Sequence, residues 1–556
     1  MLVACGVQSQ SYTNPVLRGS YPDPSICRAG DTFYMANSSF EYFPGLPIHR
    51  STDLVNWELV GYGLHRPEQV SGEVNLRDVQ SDGGIHAPSL RYHDGTFYLI
   101  TTNVYHHPET GVTDFVNFVL TAATPSGPWS EPHIIEGAPG IDPDLFFDED
   151  GSVWYVGNQM PENPNFEGEG EIWIQRLDLE SWRLIGERSL LWRGACGGVW
   201  AEGPHLYKIM GLYYLMIAEG GTSFNHAVMI ACSEDIRGPY VPNDRNPILT
   251  SRHVSYDHWV NSTGHGDLIE IADGRWYMVA LGIRGEVNRR SNMGRETLLL
   301  PVSWEYEPYE WKSPRYWWPV VSPATGKAEA SYLLPFPGQP QRLQHTVFED
   351  HFTSAVLHPE WNFRRVPAAG TWALHPERGA LRLFALPTTP QDRGRAALVG
   401  IRQQETAFNF SAEFTFEHLR SGAEAGIGVV QKDNAWFLLT IARVDSGAEI
   451  HLTRHLPGTP DELVYSSPIY QSDSVQLSIE ATKSGYTCIL MEKDGTPRIL
   501  CTLPSDILLS RGYTGAYLML YCSGKGQENG GYAEFTRVRR ESIPGGLRDT
   551  LIQSER

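Results

Sequence analysis

The stretch Trp200-Ala201-Glu202-Gly203-Pro204-His205-Leu206-Tyr207 places one acidic residue between an aromatic side chain and a Gly-Pro turn. The alternating run that follows it, at residues 212–217, is typical of a β-strand. A turn followed by an aromatic strand recurs at intervals of about 55–65 residues, which predicts a repeat architecture. The five copies are Asp31-Thr32-Phe33-Tyr34, Asp94-Gly95-Thr96-Phe97-Tyr98, Asp150-Gly151-Ser152-Val153-Trp154-Tyr155, Met210-Gly211-Leu212-Tyr213-Tyr214 and Asp273-Gly274-Arg275-Trp276-Tyr277.

Two local signals define each repeat. The first is the turn, because Asp-Gly between alternating apolar runs favours a β-hairpin. The second is a short polar segment that ends in an aromatic residue, at 51–57, 123–129, 178–182 and 233–240, while the fifth copy is less regular and ends near Trp311. Five units of about four strands predict a five-bladed β-propeller, and the alternative is a chance set of glycine-rich turns in another all-β fold. Residues 14–17 are expected to pair with the last blade and close the ring.

One polar residue stands about 11–13 residues before each marker tyrosine, namely Asp23, His86, Asp142, Glu202 and His265. The first strand of each propeller blade lines the central channel, so equivalent positions in five blades should meet at one end of the axis. Carboxylates gathered in such a pocket shift one another's pKa, as acid–base chemistry requires. The structural alternatives are a turn-forming aspartate at Asp23 and a hydrogen-bonded core histidine at His265.

The repeat signals stop at a proline-rich stretch, residues 334–340, which predicts a linker. Beyond it, alternating runs such as 408–416, 425–430 and 436–441 predict a two-sheet β-sandwich. The chain is therefore expected to be all-β throughout. Its predicted parts are an N-terminal arm (1–13), a propeller (14–333), a linker (334–344), a sandwich (345–541) and a tail (542–556).

The charge of the chain restricts its partners. The 556 residues carry a formal charge of −21, which argues against nucleic acid, because phosphate binding needs a basic surface. An acidic surface fits a neutral ligand such as a sugar, although solubility alone would also explain it. No apolar run approaches the roughly 18–20 residues of a membrane span. The sequence leaves the oligomeric state open.

The cellular compartment also stays open between a bacterial cytoplasm and periplasm. Residues 2–5, Leu-Val-Ala-Cys, resemble the end of a bacterial lipoprotein signal in which the cysteine, Cys5, is lipidated. The charged and apolar regions that should precede that motif are missing. Either the given start lies inside a longer signal, or the match is due to chance.

Four motifs in combination resemble glycoside hydrolase family 43. They are Tyr-Pro-Asp-Pro-Ser-Ile-Cys-Arg at 21–28, Gly-Ile-Asp-Pro at 140–143, Ala-Glu-Gly-Pro-His-Leu-Tyr at 201–207 and Gly-Arg-Glu-Thr at 294–297. The resemblance spans nearly the whole chain, because one branch of the family adds a concanavalin-like sandwich to its five-bladed propeller. It implies an exo-acting, inverting glycosidase that releases terminal α-L-arabinofuranosyl or β-D-xylosyl residues. The expected substrates are oligosaccharides from the plant cell wall, such as arabinoxylan, arabinan or xyloglucan fragments.

The resemblance also implies roles for three carboxyl groups. Asp23 would be the general base that activates a water molecule, and Glu202 would be the general acid that protonates the leaving oxygen. Asp142, which the family pattern favours over Asp144, would hold Glu202 in place and raise its pKa. An inverting enzyme needs its base and its acid roughly 6.5–9.5 Å apart to admit that water.

Two further residues complete the expected site. Arg295 would bind sugar hydroxyl groups, with a structural ion pair to Glu296 or Asp23 as the alternative. His265 matches a histidine that in many family members sits beside a calcium ion or a water cluster on the propeller axis. Calcium is therefore a candidate ion near His265, and no organic cofactor is implied.

The second blade departs from the family pattern at His86, where xylosidases of this branch often carry tryptophan. A flat apolar platform is thus replaced by a smaller polar ring, which leaves room for α-L-arabinofuranosidase activity. His86 and Phe40 are expected to bind the substrate, and Phe43 is expected to help shape the pocket. Two other functions remain open: a retaining hydrolase of the fructan-cleaving type, with carboxyl groups about 5–5.5 Å apart, and a non-catalytic sugar-binding propeller.

Overall fold

The computed structural model describes residues 10–285, 291–308, 310–342, 347–470, 474–482, 484–509 and 514–543. Cys5 and nearly all of the predicted tail lie outside these ranges. Within them the regular structure is β-strand, apart from two short 3₁₀ helices at Pro67–Val70 and Pro376–Arg378. None of the helices in the described ranges is long and apolar enough to cross a membrane.

The first part of the chain forms five antiparallel sheets. Their strand orders are β2-β3-β5-β6, β7-β8-β9-β10, β11-β12-β13-β14, β15-β16-β17-β18 with β19 beside β17, and β20-β21-β22-β23. The predicted five-bladed propeller is confirmed. The strands are β1 (Ser11–Thr13), β2 (Ser25–Ala29), β3 (Thr32–Ala36), β4 (Tyr42–Phe43), β5 (Gly45–Ser51), β6 (Glu58–Leu64), β7 (Gly84–His93), β8 (Thr96–His106), β9 (Thr113–Ala122), β10 (His133–Ile134), β11 (Asp144–Phe147), β12 (Val153–Gln159), β13 (Glu171–Asp178), β14 (Arg183–Trp192), β15 (Glu202–Ile209), β16 (Leu212–Glu219), β17 (Ala227–Ser233), β18 (Val241–Pro242), β19 (Leu249–Thr250), β20 (Val260–Glu270), β21 (Trp276–Arg284), β22 (Glu296–Tyr306), β23 (Trp317–Val321) and β24 (Ser331–Leu333).

The predicted turns join the first two strands of each blade. In the second and fifth blades the turn glycines, Gly95 and Gly274, have φ of 79° and 83°, a conformation that glycine adopts without steric cost. The aromatic strand that follows packs into the core between blades, where Tyr155 and Tyr214 are fully buried. Local turn chemistry and burial of the aromatic residue therefore select the same hairpin in each repeat.

The N-terminal segment closes the ring, as predicted. Leu17 forms a β-bridge with Thr297 at the start of β22. The Asn14 side chain donates to the Leu299 carbonyl at 3.0 Å and accepts from the Leu299 backbone N–H at 2.9 Å. Strand β1 pairs in turn with β24, the last strand before the linker.

The second part of the chain is the predicted β-sandwich. One sheet runs β27-β28-β39-β30-β35-β36-β37 with β25 beside β39, and the other runs β34-β33-β32-β31-β38-β29-β26. Phe410, Ile427, Leu439 and Leu520 are fully buried between them. The strands are β25 (Val347–Asp350), β26 (Asn362–Arg364), β27 (Trp372–His375), β28 (Ala380–Phe384), β29 (Ala397–Arg402), β30 (Phe408–Thr415), β31 (Glu424–Lys432), β32 (Ala435–Val444), β33 (Gly447–His455), β34 (Glu462–Pro468), β35 (Ser474–Thr482), β36 (Gly485–Met491), β37 (Pro497–Leu503), β38 (Tyr517–Ser523) and β39 (Tyr532–Ser542).

Strand β4 joins the two parts of the chain. It extends from the first blade and pairs with β26, with Phe43 opposite Phe363, so it becomes the edge strand of the second sandwich sheet. The neighbouring Tyr42 stacks on Tyr517 at a ring distance of 3.7 Å. The expectation that Phe43 shapes the pocket is therefore wrong, because Phe43 belongs to the edge strand of the sandwich sheet. The propeller and the sandwich share a hydrogen-bonded sheet as well as the linker.

Candidate active site

A buried polar network marks the axis of the propeller. Each innermost strand contributes one side chain: Ser25, Arg91, Asp144, His205 and Asp267. The guanidinium of Arg91 donates to Asp144 at 2.8 Å and to Asp267 at 3.0 Å. The innermost strands of the five blades therefore converge on the axis. Asp144 is fully buried, binds Arg91 on the axis and does not line the pocket that contains Asp23 and Glu202.

A pocket of about 460 Å³ opens at one end of this axis. The structure places six of the seven predicted site residues in its lining, and the exception is Phe40. A larger cavity of about 800 Å³ lies elsewhere, beside the first blade and the linker, and none of those seven residues lines it. The smaller pocket is lined by Asp23, Asp82, His86, Ala87, Ile141, Asp142, Trp200, Glu202, Gly220, Gly221, Thr222, Ser223, His265 and Arg295.

Irregular backbone aims these side chains into the pocket. Pairing of the first two strands shifts register just after His86, just after Glu202 and on either side of Gly264, next to His265. A β-bulge of this kind redirects the side chain beside it. Asp23 and Asp142 instead precede their strands by two residues and have φ of 52° and 53°. Positive φ is uncommon for a residue other than glycine and persists where the surroundings fix it, often at functional sites.

Asp23 is held as a carboxylate by its neighbours. The Arg295 guanidinium donates to its Oδ1 at 2.6 Å, and the Ser38 hydroxyl donates to its Oδ2 at 2.6 Å. Burial by itself raises the pKa of Asp23, but Arg295, His265 and Ser38 oppose burial and bring the net pKa below the usual value. The Asp23 carboxylate is therefore ionised over the whole neutral range and can accept a proton.

Glu202 and Asp142 are shifted in the opposite direction. Burial raises the pKa of Glu202 to about 7; the Asp23 charge adds to this effect and Arg295 opposes it. Burial, followed by the charges of Glu202 and Asp23, raises the pKa of Asp142 well above its usual range. Because oxygen atoms of the two carboxyl groups lie within 4.8 Å of each other, ionising one disfavours ionising the other. This pair keeps at least one proton near neutral pH.

His265 packs tightly beside the acidic pair. A Cβ atom on Gly203, the residue after Glu202, would lie 2.8 Å from the His265 ring, so the close approach requires glycine there. Burial lowers the pKa of His265 to about 4, and its imidazole is neutral at pH 7. One ligand atom each from Asp142, Glu202 and His265 lies within 4.8 Å of the others. Calcium prefers six to eight oxygen ligands, so this set of two carboxyl groups and one nitrogen does not fit a calcium ion held directly by the protein.

Comparison with known proteins gives the same fold and the same order of domains. Residues 12–307 match the glycosyl hydrolases family 43, and residues 349–541 match the concanavalin A-like domain found at the C-terminus of β-xylosidases. This chain belongs to glycoside hydrolase family 43. A xylosidase/arabinosidase of Butyrivibrio fibrisolvens is 34% identical over 551 residues, covering 95% of this chain and 99% of that protein.

Two further relatives of this family-43 glycosidase carry different names. A non-reducing end α-L-arabinofuranosidase of Bacteroides ovatus is 35% identical over 532 residues, which cover 95% of this chain and 94% of that protein. A solved structure of xylan β-1,4-xylosidase from Bacillus halodurans is 28% identical, covers 96% of this chain and 100% of its own, and superposes with a TM-score of 0.85. Relatives named for arabinofuranosides and for xylosides are both similar to this chain. The residues of its own pocket therefore determine which of the two sugars it prefers.

Phe40 lies behind the pocket of the family-43 site. It is 1% exposed, and its ring packs edge-on against the His86 imidazole at 5.2 Å and under the Arg295 guanidinium at 5.3 Å. The predicted direct contact between Phe40 and the sugar does not fit this position, because His86 and Arg295 cover the ring. Phe40 therefore packs behind His86 and Arg295, two side chains that line the pocket.

Sequence reasoning missed several lining residues of the glycosidase pocket. Trp200 stands two residues before Glu202 and is 46% exposed, with its indole against Gly168 and Gly221. Thr222 lies in the loop after β16. Asp82 precedes the Gly-Gly turn into β7 and has φ of 60°. Nothing in the sequence indicated that Asp82 would reach the pocket.

Proposed function

We propose that this family-43 enzyme is an exo-acting, inverting glycosidase in which Glu202 is the general acid and Asp23 is the general base. Its substrates would be plant cell-wall oligosaccharides that carry terminal α-L-arabinofuranosyl or β-D-xylosyl residues. The names of its relatives support this substrate class, since both sugars occur among them. The acidic surface, with a charge of −21, is compatible with a neutral oligosaccharide.

One observation carries the assignment of roles: the pocket shifts the pKa of Asp23 down and the pKa of Glu202 up to about 7. Two carboxyl groups whose pKa values move apart can hold opposite protonation states at the same pH. Glu202 can then donate its proton to the leaving oxygen, while Asp23 accepts a proton from the attacking water. Single displacement by water inverts the configuration at the anomeric carbon.

The remaining polar residues assist this displacement. Arg295 keeps Asp23 ionised and is placed to donate to substrate hydroxyl groups as well. Asp142 is buried beside Glu202, so the pair retains a proton when a sugar occupies the pocket. No step is assigned to a calcium ion, because protein carboxyl groups supply both proton transfers.

The stereochemical outcome tests the mechanism directly. Hydrolysis of an aryl α-L-arabinofuranoside and an aryl β-D-xyloside, followed by ¹H NMR from the first minute, should show the inverted anomer before mutarotation. Early release of the retained anomer would favour the nucleophilic mechanism instead. Lack of turnover on every pentoside, with sugar binding intact, would favour a non-catalytic binding protein.

A matched pair of variants tests the acid. Glu202→Gln should lower kcat on both substrates by about 10²–10⁴-fold, the usual contribution of general acid catalysis, and should abolish the alkaline limb of the pH profile. Glu305→Gln, which removes a carboxylate from an exposed ion pair with Arg245, is the control and should leave kcat unchanged. A normal kcat for Glu202→Gln would exclude Glu202 as the proton donor.

A further inference from the structure

Asp82 lines the propeller pocket and accepts hydrogen bonds from the β-sandwich domain. Its Oδ1 accepts a hydrogen bond from the Thr514 hydroxyl at 2.8 Å, and its Oδ2 accepts one from the Lys432 ammonium group. Both donors belong to the sandwich: Lys432 ends β31, and Thr514 lies three residues before β38. The sandwich thus fixes a carboxylate in the pocket wall of the propeller.

The Asp82 carboxylate can bind more than these two donors. Each oxygen atom of a carboxylate accepts about two hydrogen bonds, and among the residues that the structure describes each oxygen of Asp82 accepts one, from the sandwich. The side chain is 20% exposed, and Asp82 lines the pocket that contains Asp23 and Glu202. One accepting position on each oxygen is therefore available to a ligand.

His86 adds a second acceptor to the same wall. Burial lowers the pKa of His86, so the imidazole is neutral at pH 7. Its Nδ1 lies 3.1 Å from the Gly84 carbonyl, which can only accept, so Nδ1 carries the proton and donates. Nε2 is left as an acceptor. The wall formed by Asp82 and His86 therefore presents acceptors, opposite in character to the Arg295 guanidinium, which presents only donors.

An acceptor wall binds a ligand that brings a hydroxyl donor to it. Both sugars of the proposed function carry ring hydroxyls that can donate, but they differ in reach: α-L-arabinofuranose also carries an exocyclic hydroxymethyl group, which extends beyond the ring, whereas every hydroxyl of β-D-xylopyranose is attached directly to the ring. We propose that Asp82, held by Lys432 and Thr514, accepts a hydrogen bond from the exocyclic hydroxyl and makes α-L-arabinofuranosides the preferred substrates. This inference rests on the proposed glycosidase function and names its substrate class.

The test combines variants with a substrate that lacks the exocyclic hydroxyl. Wild type, Asp82→Asn and Asp82→Ala are compared on an aryl α-L-arabinofuranoside, its 5-deoxy analogue and an aryl β-D-xyloside. A hydrogen bond to a charged group predicts a loss of kcat/KM of about 10–100-fold on the arabinofuranoside for each variant. Wild type should lose a similar factor on the 5-deoxy analogue, and the variants should lose little more. Activity on the xyloside should change by less than about three-fold.

Two positioning variants test the role of the sandwich. Lys432→Met and Thr514→Val should each lower kcat/KM on the arabinofuranoside by a smaller factor, with the loss again absent on the 5-deoxy analogue. Lys525→Met, which removes another sandwich lysine near a carboxylate, Glu424 at 3.6 Å, is the control and should behave as wild type. Circular dichroism and thermal melting identify any variant that fails to fold, and Asp82→Asn preserves the shape of the side chain.

The outcomes distinguish failure of this inference from failure of the proposed glycosidase function. If Asp82→Asn lowers activity on the arabinofuranoside and its 5-deoxy analogue by the same factor, Asp82 only maintains structure and the inference fails. If wild type cleaves the xyloside and not the arabinofuranoside, the inference fails while the glycosidase function stands. If wild type cleaves neither, the proposed function fails and the inference fails with it.

Discussion

Replacing Arg295 by methionine should move the acid limb of the pH profile upward. Arg295 and Asp23 are 5% and 4% exposed, and the charged atoms are 2.6 Å apart, so little solvent screens their attraction. An arginine at such a distance from an aspartate typically lowers the aspartate pKa by about 1–3 pH units. Removing the guanidinium removes that effect and leaves burial, which raises the pKa of Asp23. The base is then protonated, and inactive, at a higher pH than in wild type.

The same substitution acts on the alkaline limb in the same direction but less strongly. Arg295 lowers the pKa of Glu202, so its loss raises that pKa above the wild-type value of about 7. Arg295 ranks after burial and the Asp23 charge in its effect on Glu202, whereas it is the strongest charge acting on Asp23. The acid limb should therefore move further than the alkaline limb, and the plateau should become narrower.

The measurement is kcat/KM between pH 3 and 9 on an aryl pentoside, which reports the pKa values of the free enzyme. Arg295→Lys retains a positive charge and should bring the acid limb partly back. Arg245→Met removes an arginine from an exposed ion pair and should leave both limbs in place. A uniform loss of kcat/KM in Arg295→Met, with both limbs at their wild-type positions, would show that Arg295 binds substrate without tuning Asp23.

Two further perturbations have defined outcomes. Arg402→Met should lower the free energy of unfolding in urea by about 2–4 kcal/mol, because it breaks a buried network that joins both domains through Ser20 at 3.0 Å and Asn362 at 2.6 Å; a loss below about 0.5 kcal/mol would contradict this. Dialysis against EDTA should change kcat/KM by less than about two-fold, because the donor set at His265 does not suit calcium; a larger loss that calcium chloride restores would contradict this.

Repetition is the reason that the propeller could be predicted from the sequence. Each blade carries its own turn and aromatic strand, so five local signals agree with one architecture. The same repetition placed Asp23, Glu202 and His265 at one end of the axis, where the structure has them. Contacts between residues far apart in the sequence could not be predicted in this way.

The choice of Asp142 over Asp144 as the pocket residue rested on the family pattern. The structure gives the physical reason, because Arg91 binds Asp144 on the axis.

The positions of Phe43 and Asp82, which the sequence did not predict, depend on the junction between the domains. Phe43 was expected to shape the pocket together with Phe40, but it pairs with Phe363 and belongs to the sandwich sheet. Asp82 follows a polar loop with no periodic signal, and its position depends on donors that follow it by 350 residues or more. A local sequence pattern cannot predict such a contact, because the donors, Lys432 and Thr514, lie far from Asp82 in the sequence.

Contacts between the propeller and the sandwich also help to hold the pocket in shape. A Cβ atom on Gly294, the residue before Arg295, would lie 2.4 Å from the backbone nitrogen of Gly515 in the sandwich. The backbone N–H of Ala516 donates to the Asn292 carbonyl at 2.7 Å, on the same segment. The sandwich therefore supports the donor side of the pocket through Arg295 and the acceptor side through Asp82. Since both sides depend on β38 and the residues just before it, changes in the sandwich should alter sugar preference without touching Asp23 or Glu202.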